Sequence, residues 1–157
     1  MISNHPPHFA IIGAGTAGLA TAILLARQNI QVSILEKASE LEPVGAGLLL
    51  QPSGLAVFEH LGLLDEVLRL GAKVTGLKGQ LPSGNLLVNS HYQQAHPDFY
   101  GVGIHRATLC HILENKCREY PELITWQMNT DIQTLEETSN QVRVLGTKDG
   151  ESFDQAF

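Results

Sequence analysis

The chain has 157 residues, 43% of them hydrophobic and 17% charged, with a net charge of −6. That length supports one domain with a sizeable core. The mild acidity, with no lysine- or arginine-rich run, argues against nucleic acid as a partner.

Cys110 and Cys117 are the only cysteines and stand seven residues apart in a helical stretch. Their rise of roughly 10 Å is too long for a disulfide, so a reducing cytoplasm is the simplest compartment. Residues 1–8 are polar and contain prolines without a basic n-region, which reads against a signal peptide. The apolar stretches are too short to span a bilayer.

Taken in order, the first element is Phe9-Ala10-Ile11-Ile12, an unalternated apolar run that predicts a parallel strand buried on both faces. It climbs into Gly13-x-Gly15-x-x-Gly18, and an alanine-rich helical pattern runs over residues 16–27. Gly13 allows a tight turn, Gly15 lets a pyrophosphate approach the backbone, and Gly18 lets the helix lie close on the strand. The helix then points its amides and positive dipole end at the phosphates.

A second strand, residues 31–35, ends in Glu36, 18 residues past Gly18 and close to where a ribose-binding carboxylate is expected. A carboxylate there accepts from ribose hydroxyls and repels a 2′-phosphate. The first helix is apolar nearly all round and should be buried against the sheet, with Asn29 in the left-handed position that closes it.

A polar loop from Lys37 leads to Gly45-Ala46-Gly47, either a flexible connector or a backbone that passes close to a flat ligand. Two short helices follow, residues 54–60 and 63–70, broken at Gly62 and stopped at Gly71. Residues 73–80 and 86–89 predict a hairpin across the loop 81–85, and 91–98 an exposed irregular segment. His91 and His96 lack a second ligand set, which argues against a metal site. A helix over residues 107–119 has Leu109, Ile112, Leu113 and Cys117 on its apolar face. Residues 123–128 read as a third parallel strand, and 132–137 with 141–146 as another hairpin. A turn at Lys148-Asp149-Gly150 follows.

These residues resemble the single-component, class A FAD-dependent aromatic hydroxylases, the group of para-hydroxybenzoate and salicylate hydroxylases. The resemblance rests on Gly13-x-Gly15-x-x-Gly18-x-x-x-Ala22, on Glu36 closing the second strand, on Gly45-Ala46-Gly47 followed by Gln51-Pro52-Ser53-Gly54 and Leu61-Gly62-Leu63, and on Arg106-Ala107-Thr108-Leu109 opening a helix. It implies an α/β, Rossmann-like FAD-binding fold with a parallel sheet and added antiparallel hairpins. Residues 1–157 would be its N-terminal part, truncated before the rest of the FAD domain and the substrate-binding elements.

By the same resemblance, Gly13, Gly15, Thr16, Ala17 and Gly18 cradle the FAD pyrophosphate, and Glu36 binds the adenosine ribose. Lys37 follows as the basic residue common there, a surface salt bridge being its alternative. Gly45, Ala46 and Gly47 run beside the flavin, Arg106 reaches the phosphate and ribityl region, and Ile132 touches adenine. A cation at a helix start is unfavourable without an anion to meet, which favours that role for Arg106 over a solvated arginine.

The implied activity is hydroxylation of a small aromatic molecule with NADH or NADPH as co-substrate, through a flavin C4a-hydroperoxide. The flavin does the difficult chemistry, and no residue of this chain is expected to act as a catalytic acid or base. The alternatives are another flavoenzyme, an oxidase or halogenase, and an inactive remnant.

Overall fold

In the computed structural model, which describes residues 7–41 and 45–157, the glycine turn joins two parallel strands through one helix. β1 (His8–Ile12), α1 (Thr16–Ala26) and β2 (Gln31–Leu35) form that unit, with β1 and β2 in register from His8 opposite Gln31 to Ile12 opposite Leu35. Leu19, Ala22, Ile23 and Ala26 form the buried stripe of α1 at helical spacing. Asn29 ends the turn after α1 at φ 60°, as its residue type predicts.

β3 (Gly47–Leu50) is followed by α2 (Pro52–His60), with Pro52 in its first turn, and α3 (Leu64–Leu70). Next come β4 (Ala72–Val74), β5 (Gly76–Gln80), β6 (Leu86–His91), β7 (Gly101–His105) and α4 (Arg106–Arg118). The chain closes with β8 (Ile124–Gln127), β9 (Thr130–Glu137), β10 (Val142–Lys148) and β11 (Glu151–Ala156). The expectations for residues 1–6 and for Glu42, Pro43 and Val44 lie outside the described residues.

Two compact units divide the chain. The first takes the described residues of Met1–Glu42 with Leu113–Phe157, the second those of Pro43–Ile112. In the first, a parallel sheet has the order β1-β2-β8 and an antiparallel sheet the order β11-β10-β9. In the second, an antiparallel sheet has the order β3-β7-β4 and β5 pairs with β6.

β2, flanked on both sides, buries Val32, Ser33, Ile34 and Leu35. The polar Ser33 is accommodated by a chain of hydrogen bonds across the sheet. Thr125 Oγ1 donates to the Val32 carbonyl at 3.3 Å, Ser33 Oγ lies 2.8 Å from Thr125 Oγ1, and His8 Nε2 lies 2.9 Å from Ser33 Oγ. With Thr125 already donating, Ser33 donates to it and His8 Nε2 donates to Ser33. On the antiparallel sheet, Arg143 of β10 ion-pairs with Asp154 of β11 and with Glu136 of β9.

Two expectations need correction, and two strands, β7 and β11, lie where the sequence patterns predict no element. β1 is not buried on both faces: among the described residues it pairs only with β2, and Phe9 and Ile12 are 44% and 52% exposed. Residues 73–80 are not one strand. Ala72–Val74 pairs with β7, and only Gly76–Gln80 forms the hairpin with β6. Gly101–His105 is the central strand of its sheet, hidden in the sequence by two glycines. Glu151–Ala156 continues past the Asp149-Gly150 turn as β11.

The face read from α4 is buried as expected at Leu109, Ile112, Leu113 and Cys117. Neither cysteine is in a disulfide. Cys117 donates from Sγ to the Leu19 carbonyl at 3.5 Å. Burial, reinforced by Glu114 and opposed by Arg118, pushes its pKa up to about 12. The folded protein therefore holds this thiol protonated where the unfolded chain, at 9.0, begins to lose it. That contribution to stability is complete below pH 9.0 and falls as pH rises toward about 12. Cys117 is expected to resist a thiolate-specific disulfide reagent at pH 8 in the native protein and to react at once in denaturant. Equal labelling rates in the two states would contradict the buried thiol.

Candidate cofactor site

The turn after β1 is built by backbone geometry rather than by side chains. The Gly13 amide donates to the Leu35 carbonyl at 2.8 Å, and Gly13 takes φ +96°, a conformation glycine tolerates. A Cβ on Gly18 would stand 2.1 Å from the Gly13 carbonyl oxygen and 3.1 Å from Ile11 Cγ2. Helix and strand therefore approach as closely as the sequence predicts. A Cβ on Gly15 would meet nothing within 4 Å, because the loop opens into free space there.

Gly15 is the N-cap of α1, with no side-chain cap and no acidic residue in the first turn. The first amides of a helix have no intrahelical partner, and here Gly15 gives them no side-chain cap and the first turn no acidic residue. An open glycine, bare amides and the positive dipole end together fit a phosphate group. Thr16 and Ala17 sit in that first turn.

Glu36 follows β2 directly. Its carboxylate accepts from the Ala14 amide at 2.7 Å through Oε2 and from the Ala38 amide at 2.9 Å through Oε1. Its own amide donates to the Gln127 carbonyl at 2.9 Å, and its carbonyl accepts from the Thr130 amide at 2.8 Å. A hollow of about 130 Å³ opens beside it, walled by Gly13, Glu36, Lys37, Thr130, Asp131 and Ile132. The structure thus brings Gly13, Glu36, Lys37 and Ile132 into one place. Thr130 and Asp131 line it too. Neither was legible in the sequence, because only the turn between β8 and β9 carries them there.

The second unit holds the other predicted residues. Gly45 adopts φ +142°, and a Cβ on it would lie 3.2 Å from both Cβ and Cδ of Arg106. The Arg106 amide faces the Ala46 carbonyl at 3.4 Å. Gly47 pairs with His105 across β3 and β7, with open space where its side chain would be. Gly45, Ala46, Gly47 and Arg106 therefore form one cluster, with Arg106 exposed as the first residue of α4. Among the described residues its guanidinium makes no ion pair.

A βαβ unit with an open glycine turn and an acid at the end of β2 defines a dinucleotide-binding protein. The family model for the FAD binding domain matches residues 8–154, so the chain belongs to that family and FAD is its cofactor. Its relatives are named as FAD-dependent monooxygenases and hydroxylases. It is 32% identical over 143 residues to 3-hydroxybenzoate 6-hydroxylase of Klebsiella oxytoca, covering 88% of this chain and 36% of that protein. Phenazine 1,6-dicarboxylic acid hydroxylase PhzS of Lysobacter antibioticus is 32% identical over 142 residues, covering 89% of this chain and 35% of the relative.

Among solved structures, p-nitrophenol 4-monooxygenase PnpA of Pseudomonas putida DLL-E4 superposes with a TM-score of 0.85 over 96% of this chain and 38% of its own. At 17% identity that likeness concerns the fold alone. PqsL of P. aeruginosa, in complex with 2-aminobenzoylacetate, gives a TM-score of 0.77 at 27% identity, over 93% of this chain and 40% of its own. The chain therefore spans little more than a third of the length of these relatives. No helix among the described residues is long and apolar enough to cross a membrane.

Proposed function

We propose that this chain is the N-terminal, FAD-holding portion of an NAD(P)H-dependent monooxygenase that hydroxylates a small aromatic molecule. One observation carries the reading. The uncapped N-terminus of α1 opens at Gly15 into free space, and the Glu36 carboxylate stands at the same loop. Amide donors suited to a phosphate and a carboxylate acceptor suited to a ribose thus lie side by side, in the order the adenosine half of FAD requires.

In this reading Gly13, Gly15, Thr16, Ala17 and Gly18 receive the pyrophosphate, and Glu36 receives the ribose hydroxyls. Ile132 offers apolar contact to the adenine, with Lys37 beside it. Arg106, held against Gly45, supplies a cation to the phosphate and ribityl region. Bound FAD would supply the redox chemistry, taking electrons from a nicotinamide and activating dioxygen, while the residues named above would hold and orient it. The chain's own residues bind and orient. None is asked to transfer a proton. The names of the relatives support an aromatic substrate, since one is a hydroxybenzoate hydroxylase and another a phenazine dicarboxylic acid hydroxylase.

The test is a preparation of the protein carrying this chain at the length of its relatives. It is expected to show flavin absorbance bands after incubation with FAD and to consume NADH or NADPH with hydroxylation of an aromatic acid or phenol. Absence of the bands at saturating FAD would remove the cofactor role. Flavin reduction without oxygen transfer to any aromatic would favour an oxidase instead. The 157-residue chain alone is expected to have no hydroxylase activity. Turnover by it would overturn the view that substrate-gripping elements lie elsewhere.

A further inference from the structure

The Glu36 carboxylate holds the glycine loop through backbone amides. Ala14, between the first two glycines, is only 4% exposed. A buried backbone amide needs a partner, and this one donates to Glu36 Oε2 at 2.7 Å. The other oxygen, Oε1, takes the Ala38 amide at 2.9 Å. One side chain therefore ties the β1–α1 turn to the segment after β2. Its main chain is fixed in turn by Gln127 and Thr130.

We propose that Glu36 is a positioning residue for the glycine loop as well as a ribose ligand. Its carboxylate sets the loop conformation by bridging the Ala14 and Ala38 amides. The two roles are compatible because an ionised carboxylate has about four acceptor sites. Two are used by the amides, and one on each oxygen remains for a ribose hydroxyl. The link to a cofactor rests on the function proposed above, whereas the bridge rests on geometry alone.

The experiment is residue-resolved amide hydrogen exchange on the nucleotide-free protein and two variants, with Val32 and Ile34 of β2 as internal references. In the wild type the Ala14 amide is expected to be protected. Glu36→Gln has one acceptor oxygen and an amide group that cannot accept, so it cannot satisfy both amides. Exchange at Ala14 or Ala38 should rise roughly ten- to a hundredfold, as for loss of a charge-assisted bond. Glu36→Asp is one methylene shorter and retains only the local bond to the amide two residues on. It should protect Ala38 and release Ala14. That split between two amides, with the references unchanged, is not produced by general loosening.

The second readout is binding of inorganic pyrophosphate, which has no ribose. Removing a negative charge by itself strengthens binding of this anion, so severalfold weakening in Glu36→Gln can come only from the loop. An unprotected Ala14 in the wild type, unchanged exchange at both amides in Glu36→Gln, or equal or tighter pyrophosphate binding by that variant overturns the proposal. Exchange changes at Ala14 without FAD binding by the wild type would count against the cofactor reading and leave the bridge standing.

Discussion

Gly15→Ala is expected to weaken FAD binding sharply while leaving the melting temperature unchanged or slightly raised. Gly15 has φ −73° and ψ 177°, values open to any residue, and a Cβ there meets nothing within 4 Å. The folded chain has no reason to resist the methyl group. Glycine-to-alanine changes at compatible positions even add about 0.4–1 kcal/mol by restricting the unfolded chain. The methyl group would instead fill the space in which the pyrophosphate meets the first amides of α1. We expect affinity to fall roughly a hundredfold or more, equivalent to about 3 kcal/mol.

Gly18→Ala is the control with the opposite sign. Its Cβ would stand 2.1 Å from a backbone oxygen that cannot move without reshaping the turn. Overpacking of this kind costs about 3 kcal/mol or more, or roughly 6–12 °C in Tm for a chain of this size. Calorimetry and FAD titration on the two variants separate the roles. Wild-type affinity in Gly15→Ala would mean the loop is not the phosphate cradle. A wild-type Tm in Gly18→Ala would mean the helix has room that the geometry denies.

Glu36→Ala is expected to weaken FAD binding by roughly a hundredfold in the protein at its relatives' length. Two hydroxyl bonds to an ionised acceptor are worth about 1.5–3 kcal/mol each in favourable cases. Some of that is returned because the freed ribose hydroxyls meet water. The Ala14 amide loses its acceptor as well, so the loss should exceed the ribose contribution alone. Fluorescence titration of the flavin gives the number. Affinity within a factor of two of wild type would remove Glu36 from the site.

The glycine loop, Glu36 and the helical face of α4 were legible because each depends on near neighbours in the chain. A glycine spacing and a helical period are local patterns, and Gly13 and Gly18 carry the positive φ and close approach that their spacing predicts. Ile132, given the adenine contact by the resemblance, stands in the hollow beside Glu36. The antiparallel elements were less readable. Thr75 separates two strands that look like one, and only the choice of partner distinguishes them: β7 for Ala72–Val74, β6 for Gly76–Gln80. In β7, glycines weaken the strand signal while long-range pairing on both sides holds the segment extended.

By itself the sequence determined the βαβ unit, the conformation of its turn and the residue types that suit phosphate and ribose, because short-range sterics and hydrogen bonding settle them. Only the tertiary structure decided that Glu36 spends its two oxygens on the Ala14 and Ala38 amides, that Thr130 and Asp131 join Ile132 beside it, and that Arg106 packs on Gly45. Those placements come from pairings between strands and turns far apart in the chain, which no local pattern encodes. β1 shows the same division. Its composition is that of an interior strand, yet its neighbours decide what is covered: β2 pairs along one edge, and Phe9 and Ile12, on opposite faces, stay exposed.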